Sequence, residues 1–271
     1  MRRHLILFAV FLGHSAQVKS QELFVITEPA SNVPAGSISV GINQGLLKAE
    51  ISEDYYYNLS PTVSWGATKN LMFKADGFFS TDYSNSLAFR GASVYTKYRF
   101  LSEDDLQSHF RMAAFGRVSN NNEVAVTEEI NLMGNNSGFQ VGLVATKLIK
   151  KVAISASLSG VHATNLDEIL LGRDFNDFGA EYTLSVGKLM LPKVYTSFNQ
   201  TNVNAMFEFK GQTLNKSGKS YLDVVPSIQF IFNSRARLDL AYKQELYSSL
   251  NRNSSSGFLL NFQYTFFNVS N

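Results

Sequence analysis

The stretch Leu222-Asp223-Val224-Val225-Pro226-Ser227-Ile228-Gln229-Phe230-Ile231-Phe232, followed by Asn233-Ser234-Arg235 and Ala236-Arg237-Leu238-Asp239-Leu240-Ala241-Tyr242, decides the fold. Leu222, Val224, Ile228, Phe230 and Phe232 recur at every second position, and so do Ala236, Leu238, Leu240 and Tyr242 after the turn. A period of two predicts strands, and two such runs around three turn residues predict a hairpin. Each arm has roughly ten residues, the length of a tilted strand that spans a bilayer.

Working outward, the pattern repeats from Gly36 to the C-terminus in about twelve segments, and helical spacing is hard to find. Phe258, Leu260, Phe262, Tyr264 and Phe266 form the last apolar set, and Ile38, Val40 and Ile42 the first. Connections alternate in length. Gly66 to Asn70, Ile149-Lys150 and Asn233 to Arg235 are short, whereas 48–54, 80–87, 119–136, 163–176, 212–219 and 248–256 are longer and polar. Short turns at one end and long loops at the other predict a transmembrane antiparallel β-barrel of about 12 strands, an all-β fold. The long loops 120–136 and 163–176 are expected outside the cell, in water. The stretch Lys188 to Asn202, with Pro192, fits this scheme poorly.

Composition agrees. Of 271 residues 45% are hydrophobic and 13% aromatic, but only 17% are charged, well under the roughly 25% usual for soluble domains. No Cys is present, which excludes disulfide, thiolate-metal and cysteine-nucleophile chemistry. The longest apolar run, Leu5 to Leu12, is too short for a membrane helix. Preceded by Arg2 and Arg3 and followed by Val18 and Ser20, it predicts a signal peptide over 1–20. Removing Arg2, Arg3 and Lys19 from the 24 basic residues leaves 21 against 22 acidic ones. No nucleic acid partner is expected at that balance.

The apolar parity set is expected to face lipid, with Tyr55, Tyr57, Trp65, Tyr98, Tyr242 and Tyr264 near the interfaces. The opposite parity then points fourteen charges into the lumen: Lys74, Asp76, Lys97, Arg99, Arg111, Arg117, Glu181, Glu208, Lys210, Asp223, Arg237, Asp239, Lys243 and Glu245. Alternation alone would also suit a soluble sandwich, with the aromatic face as core. Strand length and turn asymmetry favour the barrel. The barrel is expected over 36–267, with a short tail over 268–271. The segment 21–35 contains Pro29 and Pro34, which oppose a regular strand. It is expected either in the periplasm or in the lumen, where Glu28 would pair with Lys97, Arg99 or Arg111.

Leu59-Ser60-Pro61-Thr62-Val63-Ser64-Trp65-Gly66-Ala67-Thr68-Lys69-Asn70-Leu71 resembles the strand-turn-strand block of outer-membrane proteins of the meta-pathway phenol-degradation transporter group, and Ala92-Ser93-Val94-Tyr95-Thr96-Lys97-Tyr98-Arg99-Phe100, followed by an acidic turn, is similar to that group's next strand. The resemblance implies a bacterial outer-membrane channel for small molecules, hydrophobic ones among them.

Catalysis has thin support. His162 near the outer rim suggests an acyl hydrolase, but Thr164 stands where a serine would be wanted, and His109 reads as a turn residue. No catalytic residue, metal or cofactor is expected. The partners expected are outer-membrane lipid and a small-molecule solute, with oligomeric state left open. A closed structural barrel without transport is the alternative reading.

Overall fold

A computed structural model describes residues 24–50, 52–82, 86–105, 108–122, 127–164, 176–194 and 199–269. The leader expected over 1–20 and most of the loop 163–176 lie outside them. The described residues form twelve strands: β1 (Ile38–Ala49), β2 (Tyr55–Gly66), β3 (Leu71–Ser80), β4 (Ala88–Asp104), β5 (Ser108–Asn121), β6 (Gly138–Ile149), β7 (Val152–Ala163), β8 (Phe178–Leu191), β9 (Asn202–Leu214), β10 (Ser220–Phe232), β11 (Ala236–Ser248) and β12 (Ser254–Phe266). Each pairs antiparallel with the next, and β1 closes on β12 from Ile38 opposite Phe266 to Ala49 opposite Ser254. Closure leaves no sheet edge, so backbone polar groups within the wall are paired around the whole circumference.

Turn chemistry sets one end of the barrel. Asn233 and Ser234 both have positive φ, 50° and 55°, and Arg235 N–H donates to the Phe232 carbonyl at 3.0 Å. That is the tight turn whose twist matches a two-stranded ribbon. The start of β1 and the end of β12 meet at this short-turn end, where Val269 N–H donates to the Gly36 carbonyl. The β8–β9 connection is the exception, because β8 ends at Leu191 and β9 begins only at Asn202. Lys151 Nζ holds it by donating to the Pro192 and Lys193 carbonyls at 3.1 and 2.7 Å.

Polarity is inverted relative to a soluble protein. Outward residues are apolar and uncovered, as at Val118 (65% exposed), Val141 (64%) and Leu158 (62%). Inward residues are polar and buried, among them Ser39, Ser155, Ser185, Gln212, Gln229 and Asp239. A soluble sandwich would bury the first set, so this distribution fits a wall with lipid outside and a polar interior. Aromatic pairs sit near both ends: Trp65 stacks on Phe73 at 6.0 Å and Tyr264 meets Phe266 at 4.8 Å at the short-turn end. Phe79 and Phe89 meet at 5.3 Å near the other.

Adjacent positions on β1 provide the test. Ile42 points outward, whereas Asn43 faces the interior cavity. Ile42→Arg should cost about 2–4 kcal/mol of folding free energy in lipid vesicles, and Asn43→Arg much less. Equal losses, measured by denaturant titration, would contradict the placement of the two faces.

Candidate functional site

A barrel of about eight strands is filled by its own side chains, and one of about sixteen holds water. Twelve strands leave an intermediate space. Residues 24–35 occupy part of it, following the inner wall from β9 back to β2. The Glu208 carboxylate on β9, fully buried, accepts N–H bonds from Val25 (2.7 Å), Ile26 (3.2 Å) and Thr27 (3.0 Å). Three consecutive N–H groups around one anion form a nest, which favours the charged carboxylate. Ser185 on β8 bonds Thr27 Oγ1 at 2.9 Å, and Thr146 on β6 accepts Ala30 N–H at 2.9 Å. Lys97 on β4 donates to the carbonyls of Pro29 (2.6 Å) and Ser31 (2.8 Å), and Arg111 on β5 donates to Ser31 Oγ at 2.9 Å.

Small apolar contacts complete the docking. Ala30 packs on Ala113 and Val144, and Val33 on Met72 and Tyr95. Gly66 is required where the segment leaves β2, because a Cβ there would collide with the carbonyls of Val33 and Pro34. Glu28 pairs with Lys74 at 2.7 Å and lies 3.7 Å from Lys97. Arg99 instead donates to the Lys69 carbonyl at 2.7 Å, and Arg111 pairs with Asp104 at 2.9 Å. Lys74, level with Tyr95 and so two residues further along the wall than Lys97, is therefore the main partner, and the expected Lys97 is the second.

The remaining charges pair with one another along and across the strands. Asp76 takes Arg117 at 2.8 Å and Ser93 at 3.1 Å. Glu181 takes Lys210 at 2.9 Å, and Asp239 takes Arg237 at 3.1 Å and Gln229 at 3.0 Å. Near the long-loop end, Arg252 forms two 2.6 Å bonds to Asp223 and one of 3.1 Å to Glu245. It also approaches Glu129 at 3.5 Å and lies 3.6 Å over the Tyr221 ring. Burial alone would lower the Arg252 pKa, but Glu129 and Asp223 raise it above its ordinary value. Burial alone would raise that of Glu129, yet Arg252, Lys243 and Lys210 hold it below the usual carboxylate range.

This cluster fastens a lid. Residues 127–137 of the β5–β6 connection fold inward, with Ile130 and Leu132 buried against Val161, Ala163, Leu214, Tyr221 and Leu250. Gln212 on β9 grips Ile130 by both its N–H (3.0 Å) and its carbonyl (2.9 Å). Glu128 and Glu129 N–H groups donate to Asn251 O across the mouth. Residues 127–137 are thus partly core, where polarity had placed the loop in water. Ile130, Leu132 and Met133 were the available signal, apolar residues inside a loop otherwise read as polar.

Between segment and lid lies a cavity of about 310 Å³ against the β11–β12–β1–β2–β3 wall. Asn43, Ser60, Thr62, Asn261 and Gln263 line it, with an apolar strip from Ile26, Val33, Met72 and Met133. Five cations reach it (Lys74, Arg117, Lys210, Arg237 and Lys243) against two carboxylates, Glu28 and Glu129. The acids that balance three of them sit deeper: Asp76 and Asp239 side chains are 0% exposed and Asp223 4%. The wall is nearly neutral in sum but presents positive charge to the space. His162 lies outside this region, its Nδ1 engaged with the Asp177 carbonyl at 2.7 Å and its ring against Phe139, while Thr164 is exposed. His109 contacts Asp104 at 3.0 Å beside the β4–β5 turn.

No protein-family model and no curated protein sequence matches the chain. Solved structures do. An outer-membrane channel from Pseudomonas putida F1 is similar over 89% of this chain and 99% of that one, at 13% identity and a TM-score of 0.56. A KdgM porin is similar over 84% and 99%, at 8% identity and a TM-score of 0.52, and it has also been solved in complex with disordered oligogalacturonate. A NanC porin follows over 84% and 98%, at 11% identity and a TM-score of 0.51. At these identities the likeness concerns the fold, a closed twelve-stranded barrel of the kind outer-membrane porins use.

Glu208 carries the docking of residues 24–35. Glu208→Ala removes the acceptor of three buried N–H groups, a loss of about 3 kcal/mol or more. Amide exchange at Val25, Ile26 and Thr27 should then rise about a hundredfold while the strands stay protected. Unchanged exchange at those three amides would show that the segment is held by other means.

Proposed function

We propose that this chain is a bacterial outer-membrane channel that passes small organic anions through the space between the docked segment and the barrel wall. One observation carries the reading: five cationic heads line the cavity, and the carboxylate partners of three of them, Arg117, Arg237 and Lys243, are hidden in the wall. A cleft lined by one sign of charge with low-dielectric surroundings concentrates counter-ions of the opposite sign. The cavity lies at the lower end of ligand-pocket volumes, roughly 300–1,000 Å³, so compact solutes fit it. Its apolar strip suits the carbon body of such a solute, and its polar wall suits the charged end. This refines the hydrophobic solute suggested by the sequence resemblance. Structures of porins and an outer-membrane channel with the same fold support membrane insertion, with short turns in the periplasm and long loops outside.

Planar-bilayer recordings under a salt gradient test the charge argument. The wild-type channel should prefer chloride over potassium, and the triple variant Lys210→Gln, Arg237→Gln, Lys243→Gln should lower that preference by about tenfold or more. Cation preference in the wild type would overturn the anion reading. A folded barrel that passes neither ions nor solutes in liposome assays would instead establish a closed structural barrel.

A further inference from the structure

Glu28 differs from the other interior carboxylates. Its neighbours Thr27 and Pro29 are buried, but its own side chain is 36% exposed and lines the cavity. It sits on Lys74 and Lys97, which project from adjacent strands, with Oε1 2.7 Å from one ammonium and Oε2 3.7 Å from the other. The segment does not depend on this contact, because Glu208 and Thr146, and Lys97 through two backbone carbonyls, anchor the residues on either side. The second acid near Lys74 is more distant: Asp76 Oδ1 lies 3.8 Å away, and its Oδ2 is bonded at 2.8 Å to Arg117. Swinging the Glu28 side chain aside therefore uncovers an ammonium that faces the cavity and whose remaining acid neighbour, Asp76 at 3.8 Å, is shared with Arg117.

We infer that Lys74, backed by Lys97, is the seat for the carboxylate or phosphate group of the solute, and that Glu28 is a tethered competitor for it. The inference rests on the channel reading and names the point at which the solute is held. A solute anion replaces one carboxylate by another, so the ammonium is never left without an acceptor. The competitor lowers apparent affinity by the fraction of time it occupies the seat. Weak holding is what passage requires, since a site must bind well enough to admit a solute and loosely enough to release it. The geometry also sets the chemistry of the ligand: a single compact anionic group, reached from the open side of the cavity, with its body toward Ile26 and Met72.

The test uses the folded full chain in detergent, with benzoate as probe and benzamide as its neutral match, followed by calorimetry. Glu28→Gln and Glu28→Ala should each bind benzoate about tenfold more tightly than wild type, and adding Lys74→Met should abolish that gain. Benzamide should bind weakly and equally throughout. Heat-modifiable gel mobility and amide protection at Val25 to Thr27 confirm that each variant keeps the barrel and the docked segment. Equal benzoate affinity in wild type and both Glu28 variants, a tenfold gain that survives Lys74→Met, or no benzoate binding in any variant overturns the seat. If chloride preference persists in bilayers alongside any of these results, the channel reading stands without the seat. If Glu28→Gln binds benzoate tightly while the barrel conducts nothing, the seat stands and the channel reading falls.

Discussion

Twelve strands enclose more space than their own inward side chains fill, yet whatever fills it meets a wall of polar and charged groups that must all find partners. That constraint organises the interior. The chain meets it with its own backbone, laying residues 24–35 along the inner wall so that N–H groups and carbonyls satisfy Glu208 and Lys97. Backbone suits this purpose because it supplies donors and acceptors in fixed succession, and two prolines keep it from joining the sheet. The lid does the same at the other end, where Gln212 takes one donor and one acceptor from Ile130.

Charges within the wall follow from the same requirement. Truncating one member of a buried ion pair costs about 3–5 kcal/mol, because the other charge is left behind. Asp76–Arg117 and Asp223–Arg252 belong to that class: their side chains are between 0% and 5% exposed. Function then depends on an asymmetry inside these pairs. Carboxylates on short side chains lie against the sheet, whereas the longer lysine and arginine side chains extend past them into the cavity. A set of near-neutral pairs thereby presents a positive surface, and the direction of the charge preference comes from side-chain length as much as from net charge.

The strands were legible because a period of two over about ten residues has few other readings, and the turns because their lengths alternate. Parity assigns the fourteen charges to one face from the sequence alone, since a strand offers only two faces. The interior contacts were not legible in the same way. Glu28 meets Lys74 across 46 positions, and Glu129 meets Arg252 across 123, distances at which sequence spacing carries no information. Arg252 lies in a connection rather than a strand, so parity never reached it. The inward fold of 127–137 was missed because Glu128 and Glu129 made the loop look solvent-facing, whereas both are matched to partners on other loops. The meta-pathway resemblance pointed to a barrel channel, and the structural neighbours support that architecture without singling out that group.

The absence of cysteine makes the central claim, that residues 24–35 lie docked inside the barrel, directly measurable. Thr27 and Ser185 meet through their hydroxyls at 2.9 Å, so Thr27→Cys and Ser185→Cys in one chain place the molecule's two thiols side by side. After mild oxidation in membranes and denaturation, this double variant should resist labelling by a bulky maleimide, while each single variant is labelled fully. Reduction should restore labelling of the pair. Complete labelling of the oxidised double variant, in a barrel that still shows heat-modifiable mobility, would place the segment outside the lumen and contradict the account.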